Sequence, residues 1–465
     1  MYWIIYGGRM DCSSKNKTLV LLSEQLLRPD NEIIAFRKHQ PLTISDFKKL
    51  ITIIVSKIRK YPEKNWVLFM DDSFNFVAGL FALLYSGKHP LLLNPYHKEL
   101  QHHYQAILTD NDIANIHLST KLPIINIYQS QPEKKISQIN LEFKQTSLTL
   151  FTSGSTGLPK PIEKSISQLE DEIAILIDNL GTLTNDLFIA SVSHEHMYGL
   201  TFKIMLSLSC KIPFVCETIL YQEQLATYQS KKIIYITTPS IIKNLDNKLP
   251  IIKCTEVFSS GGEMSFENAQ FCLQNFNVLP CEIYGSSETG IIARRKQKSL
   301  NTPWELFYPI QIKSTSNHQP LLISPLLQQP ELLNDKLQKI DDTRFYLKGR
   351  MDKIVKIAEQ RLSLTFIEKQ INKLAVVEQV VVIPLEQNNR TILGAIIKID
   401  QTQGKEIEKL NHLKLTQYFR HLLKDTLSLV EIPKKWRFIE NFPKNSQGKC
   451  TYTDLKALFD ATDKI

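Results

Sequence analysis

Leu150-Phe-Thr-Ser-Gly-Ser-Thr-Gly-Leu-Pro-Lys160 is the stretch on which the reading of this sequence turns. It follows a segment that reads as a strand. Into eleven positions it packs two glycines, four hydroxyl residues and a lysine. Gly154 and Gly157 let the backbone approach a polyphosphate, and consecutive N–H groups in such a loop can form an anion-binding concavity. The hydroxyls of Thr152, Ser153, Ser155 and Thr156 add neutral donors, and Lys160 adds positive charge. Gly/Ser/Thr clusters are ordinarily surface turns. The P-loop of nucleotide hydrolases needs lysine directly after its second glycine. Here Leu158 and Pro159 intervene, so the P-loop reading fails on spacing.

Around this loop, β-branched runs alternate with helical patterns. Trp66 to Met70 reads as a strand, Phe74 to Tyr85 as an amphipathic helix and Pro90 to Leu93 as a second strand. That β-α-β unit predicts an α/β architecture with buried parallel strands. Comparable strands are expected at Lys232–Thr237, Glu256–Phe258 and Glu282–Tyr284. Past residue 300 the pattern is choppier. Arg344 to Lys356 reads as strand, turn, strand, and a small α+β module follows, with helices near Leu364–Leu374 and Leu415–Thr426 and strands at Gln379–Ile383 and Leu393–Ile399. The turn at Gly349–Asp352 is the candidate boundary.

The chain has 465 residues, 43% hydrophobic and 22% charged, an ordinary globular composition. Its net charge of +9 suits a lysine-rich surface or attraction toward anions. No basic block interleaved with aromatics supports nucleic acid as a partner. The seven cysteines include no C-x-x-C pair, which points to a reducing compartment rather than a zinc site or disulfide framework. The opening apolar run is too short for a signal peptide, and Val77 to Tyr85 is about half a membrane span. A cytoplasmic protein with no membrane span is expected.

The phosphate-loop pattern T-S-G-[ST]-T-G-x-P-K, matched from Thr152 to Lys160, resembles that of the acyl- and aryl-CoA synthetases, adenylation domains and beetle luciferases. Further segments resemble this superfamily in the same order: Ser193-His-Glu-His-Met-Tyr-Gly199, Ser259-Ser-Gly-Gly-Glu263, Tyr284-Gly-Ser-Ser-Glu288, Asp335, Gly349-Arg-Met-Asp-Lys-Ile-Val-Lys356 and Phe442-Pro-Lys-Asn-Ser-Gln-Gly-Lys449. The resemblance implies a large N-terminal domain of α/β layers with parallel sheets and a β-subdomain (1–349), and a small mobile α+β C-terminal domain (350–465).

It also implies roles. Residues 152–160 would hold the β- and γ-phosphates of ATP, Tyr284 would stack on adenine, and Gly262 and Glu263 would border it. Ser287 would contact phosphate, Glu288 would take Mg²⁺, and Asp335 and Arg350 would bind the ribose. His196 would border the acyl pocket, Asp352 would be the hinge, Lys356 would serve the second half-reaction, and Lys449 would be the catalytic lysine of adenylation. The implied activity is ATP-dependent conversion of a carboxylic acid, aryl or fatty, to its acyl-AMP with release of pyrophosphate. Transfer to coenzyme A or to a phosphopantetheinyl acyl carrier protein would follow. A bacterial branch associated with aryl-polyene and fatty-acid-like biosynthesis shares the S-H-x-H-x-Y-G-L and K-I-x-E-x-R patterns, and it implies an aryl or related unsaturated acid.

The sequence departs from the superfamily at four positions: Ser287 for threonine, Asn334 for glycine, Tyr452 for a basic residue and Glu359 for the glycine near the thiol tunnel. The last leaves the acceptor open. A non-catalytic nucleotide- or acyl-binding protein on the same fold, and a luciferase-like oxidation of the adenylate, are the alternatives.

Overall fold

The helix expected from Phe74 forms over Ser73–Tyr85 because Asp72, in extended backbone, caps it and accepts from the N–H groups of Phe74 and Asn75. Arg37 grips the same carboxylate bidentately at 2.7 and 2.8 Å. The helix is not amphipathic as its sequence suggested. All 13 of its residues are buried. A helix apolar on every side needs neighbours on every side, and here they come from two sheets. Its residues share one core with Trp66 and Leu68 of the first sheet and with Phe188, Ile234 and Phe258 of the second. Gly79 permits the close approach: a Cβ there would lie 2.8 Å from Leu68.

The structure is a computed structural model describing residues 19–460 apart from 96–97, 113–121, 129–145, 154–158, 182, 184–186, 247, 316–318, 351–353, 358–359, 388–389, 406, 408, 425 and 444–449. The first sheet has six strands among the described residues. In spatial order they are Ile124–Asn126, Ala106–Thr109, Asn65–Phe69, His89–Leu92, Ser147–Ser153 and Pro159–Ser165, all parallel except the last. The second has eleven. Its parallel centre runs through Ile33–Arg37, Phe214–Val215, Leu187–Ala190, Ile233–Thr237, Cys254–Ser259 and Cys281–Ser286. An antiparallel flank follows, ending at Arg344–Arg350 and Asp335–Lys339. Burying each large apolar side chain of the shared core contributes about 1.5–3 kcal/mol. Three short strands between Gln311 and Leu332 form a separate small sheet, the expected β-subdomain.

The stretch read as strand, turn, strand supplies strands to two different sheets. Arg344–Arg350 belongs to the eleven-stranded sheet, whereas Ile354–Ile357 pairs with Gln360–Ser363. Beyond them the C-terminal domain is a hairpin, Val377–Gln387 with Arg390–Ile399, joined in parallel by Lys435–Phe438. Helices Leu364–Asn372 and His412–Leu423 cover one face around Trp436 and Phe419, and Tyr452–Asp460 covers the other through Leu455 and Phe459. Among the described residues, no helix is long and apolar enough to cross a membrane.

Candidate active site

The segment read as a phosphate loop lies between two antiparallel strands. Ser147–Ser153 pairs with Pro159–Ser165 in a register that sets Thr152 opposite Lys160 and Ser153 opposite Pro159. Such a hairpin differs from the strand-to-helix turn of a P-loop, which agrees with the failed spacing. The turn itself, with Gly154, Ser155, Thr156 and Gly157, lies outside the described residues. Lys160 is exposed and Thr152 half-buried.

Tyr284-Gly-Ser-Ser-Glu288 also turns a hairpin, from Cys281–Ser286 into Gly290–Arg295. Ser286 and Thr289 stitch it reciprocally: the Ser286 N–H donates to the Thr289 hydroxyl at 3.2 Å, and the Thr289 N–H to the Ser286 hydroxyl at 3.1 Å. A side chain at Gly285 would run into the carbonyl of Gly290, which itself stands at φ +71°. Only glycine fits both constraints. Ser287 and Glu288 sit half-buried at the tip.

Asp335 is 51 residues from Tyr284, yet the Tyr284 hydroxyl donates to its carboxylate at 2.7 Å. The Tyr284 ring is braced by Trp304 and Phe345, with centroids 5.8 and 6.0 Å away. The ladder between the last two strands sets Asp335 opposite Arg350. Three residues expected at the nucleoside therefore converge in sequence register and space.

The Ser259–Glu263 turn leads from a strand into the helix Phe266–Phe276. The Ser260 hydroxyl donates to the carbonyl of Ile283 at 2.9 Å, holding this turn beside the strand that carries Tyr284. Gly261 stands at φ +86°, and Gly262 and Glu263 are exposed.

In the Ser193–Gly199 segment the two histidines part company. His196 is half-buried and precedes the short helix Met197–Gly199. His194 is buried: its Nε2–H donates to the carbonyl of Met70 and its Nδ1 accepts from the Ser73 hydroxyl, each at 2.9 Å. Burial, with Lys203 nearby, pushes its pKa down to about 3, so it is a neutral clamp. A π-helical turn, Leu200–Met205, follows.

Lys164 and Glu172 are among the buried charges that the sequence reading missed. Lys164 is 4% exposed and donates to the backbone carbonyl of Glu288 at 2.7 Å. Glu172 is 3% exposed and accepts from the N–H of Ile291 at 2.9 Å and the hydroxyl of Thr201 at 3.4 Å. Burial pulls the Lys164 pKa down against the pull of Glu172, Glu288 and Glu331, and pushes that of Glu172 up. A signal existed for both: Lys164 falls on the inward face of its strand two residues after Ile162, and Glu172 on the apolar face of its helix three after Leu169.

Among the described residues no group of three or more His, Cys, Asp or Glu could hold a metal ion unaided. One half-buried carboxylate, Glu288, at the tip of a loop fits a Mg²⁺ that takes its remaining oxygens from phosphates and water. Gly349, at φ +102°, needs a left-handed backbone that glycine supplies and stands 3.5 Å from Thr365 (measured from a Cβ placed on it). Asp352, Glu359 and Lys449 lie outside the described residues. So do the side chains of Ser153, Arg350 and Lys356. Three residues after Lys449 in the sequence, the Tyr452 hydroxyl donates to the carbonyl of Pro384 at 2.8 Å.

No family model matches the sequence. The chain is 22% identical over 379 residues to a D-alanine–D-alanyl carrier protein ligase of Staphylococcus epidermidis, spanning 71% of this chain and 75% of that protein. It is 21% identical over 325 residues to a 3,4-dihydroxybenzoate–[aryl-carrier protein] ligase of Bacillus anthracis, spanning 68% of this chain and 74% of that protein. Among solved structures, it superposes on the O-succinylbenzoate coenzyme A synthetase of Bacillus subtilis in complex with AMP with a TM-score of 0.76. That match has 14% identity and covers 94% of this chain and 97% of the other. The sequence relatives and structural neighbours of this chain are AMP-forming ligases acting with coenzyme A or carrier proteins, the superfamily that its motifs resemble.

Proposed function

We propose that this protein is an ATP-dependent acid–thiol ligase. It joins a carboxylic acid to AMP with release of pyrophosphate and then passes the acyl group to the thiol of coenzyme A or of a phosphopantetheinyl carrier protein. The observation that carries this reading is the convergence of Tyr284 and Asp335, 51 residues apart, in one 2.7 Å hydrogen bond. It occurs on the sheet whose next hairpin tip bears Glu288, tied by Lys164 to the phosphate-loop hairpin.

A carboxylate is a poor electrophile because its charge is delocalised and its oxide leaves badly. Its attack on the α-phosphorus forms the acyl–phosphate bond and breaks the bond to the β-phosphate. The thiol then attacks the activated carbonyl and AMP leaves. Such chemistry is mostly positioning and charge neutralisation. Residues 152–160 hold the β- and γ-phosphates. Tyr284 stacks on adenine beside Gly262 and Glu263, and Ser287 contacts phosphate. Asp335 and Arg350 hold the ribose, since one carboxylate accepts two hydroxyls at once. Glu288 holds Mg²⁺, which supplies charge compensation on the phosphate oxygens when bound. His196 borders the acid. Lys449 stabilises charge on the transferring group, and loss of such a preorganised cation costs on the order of 10²–10³ in rate. Asp352 is the hinge between a domain of residues 1–349 and a mobile one of 350–465, and Lys356 serves thiol transfer. An aryl or fatty acid is the substrate class and the cytoplasm the compartment.

The test is ATP–pyrophosphate exchange over a panel of aryl, medium-chain and long-chain acids, with Lys449→Ala as control. Exchange with at least one acid, abolished in Lys449→Ala while ATP still binds, is the expected result. ATP binding with no exchange for any acid would replace the ligase by a non-catalytic binder. Exchange at wild-type rates in Lys449→Ala would remove that lysine from the reaction.

A further inference from the structure

Lys164 stands on the same strand as Lys160, four residues further along, in the paired arm of the phosphate-loop hairpin. Its side chain points to the apolar side of that strand, where Ile162 also points, and is almost wholly out of solvent. An ammonium in such a place is costly unless it is hydrogen-bonded and paired. What it meets is the backbone carbonyl of Glu288, 124 residues away on the other sheet, at 2.7 Å. Glu172 supplies negative charge close by, and its own oxygens hold Ile291, three residues beyond Glu288, and Thr201, just past the Ser193–Gly199 segment. Gly290 leaves room for that carboxylate, because a Cβ there would lie 2.9 Å from Glu172 Oε1.

We propose that Lys164 is a positioning residue that sets the Glu288 loop in register with the phosphate-loop hairpin, and so sets how strongly the divalent cation adds to ATP binding. The inference rests on the assignment of residues 152–160 and 284–288 to the ATP site. Pinning the carbonyl of Glu288 fixes the backbone from which its carboxylate projects. The carboxylate is then left only its rotamers to search when ATP and the cation arrive. Lys164 touches neither substrate nor cation in this scheme. An apolar residue of similar length would fill the same volume but leave the carbonyl without its donor and Glu172 without its cation.

The experiment titrates ATP into the full-length protein by calorimetry, with and without Mg²⁺, for wild type, Lys164→Met and Lys164→Arg. The Mg²⁺ dependence of pyrophosphate exchange is measured alongside. In Lys164→Met the Mg²⁺-dependent gain in ATP affinity should shrink about tenfold, the lower end of what losing one charged hydrogen bond costs, while Mg²⁺-free affinity changes less than about twofold. Lys164→Arg, which keeps a charged donor, should retain most of the gain. In exchange, the Mg²⁺ concentration for half-maximal rate should rise in Lys164→Met with the KM for the acid unchanged. A folded Lys164→Met with the wild-type Mg²⁺ gain overturns the proposal. So does an equal loss of affinity with and without Mg²⁺, which is what a merely structural residue would give. Where Lys164→Met does not fold, Lys164→Gln is read by the same two criteria. A wild-type protein that shows the Mg²⁺ gain but exchanges no pyrophosphate with any acid sinks the ligase reading and leaves this inference standing. A wild type that binds no ATP sinks both.

Discussion

Replacing Tyr284 by phenylalanine removes the hydroxyl that donates to Asp335 in the proposed nucleoside site. The ring keeps its contacts with Trp304 and Phe345, so only the hydroxyl that donates to Asp335 at 2.7 Å is lost. A bond to a charged group is worth about 1.5–3 kcal/mol when buried. Both partners here are half-exposed, so water recovers part of that and about 1 kcal/mol is the expected loss of stability. The functional effect follows from what the bond holds. With Oδ2 engaged by Tyr284, the Asp335 carboxylate is held in place and, in the proposed site, its other oxygen is left for the ribose. Freed, it must be ordered by the nucleotide itself, at a further ~1 kcal/mol, or about a fivefold rise in the KM for ATP. The turnover number and the KM for the acid should hold, because the reacting bond lies at the phosphate. Pyrophosphate exchange at varied ATP and fixed, saturating acid measures all three. An unchanged KM for ATP in a variant that has lost the expected stability would show that the Tyr284–Asp335 bond is structural only. A fall in turnover alone would place Tyr284 at the chemistry instead.

Three further perturbations bear on the same framework. Gly285→Ala drives a methyl into the carbonyl of Gly290. It should cost about 1–3 kcal/mol in urea unfolding and depress exchange, because the Glu288 loop cannot close as it does now. Tyr452→Phe removes the bond to Pro384. A loss of about 0.5–1 kcal/mol is expected, with exchange falling more than ATP affinity because Lys449 is three residues away; equal falls in both would count against it. His194, held neutral with a pKa of about 3 by burial, titrates near ~6.5 when the chain unfolds. Between those values only the unfolded chain takes the proton, so stability is full above pH ~6.5 and declines as pH falls, by up to ~1.4 kcal/mol per pH unit. His194→Gln should flatten this acid limb in denaturant midpoints. An unaltered limb would assign it to other groups.

Much of the candidate site was legible because the proposed chemistry needs particular residue types at fixed spacing. The Thr152–Lys160 loop, Tyr284, Glu288 and Asp335 could be named from the sequence, and the strands near them formed within a few residues of where periodicity put them. What escaped was set by tertiary context. Nothing local tells a helix such as Ser73–Tyr85 that a second sheet will cover its other face, so its few polar residues suggested a solvent side that does not exist. Both loops read only as turns after strands, while the structure makes each a hairpin, a distinction that rests on pairing partners rather than composition. Lys164 and Glu172 were passed over because charges in a charged sequence are presumed solvated. Their positions on apolar faces were the signal.

Those buried charges also explain how a site assembled from two sheets keeps its register. The phosphate-loop hairpin belongs to the six-stranded sheet, and Tyr284, Glu288 and Asp335 belong to the eleven-stranded one. Apolar packing joins the two but is non-directional, so it tolerates a sliding of one against the other that ATP recognition could not. Directional contacts cross the seam at several places besides the Arg37–Asp72 pair. Lys164 reaches the carbonyl of Glu288, Glu172 reaches the N–H of Ile291, and His194 is held between the carbonyl of Met70 and the hydroxyl of Ser73. Each is buried, where an unmatched polar group is most costly and a displaced register is therefore most strongly penalised. The polar groups that a hydrophobic core would do better without are the ones that fix the distance between the hairpin proposed to hold the phosphates and the strand proposed to hold the base.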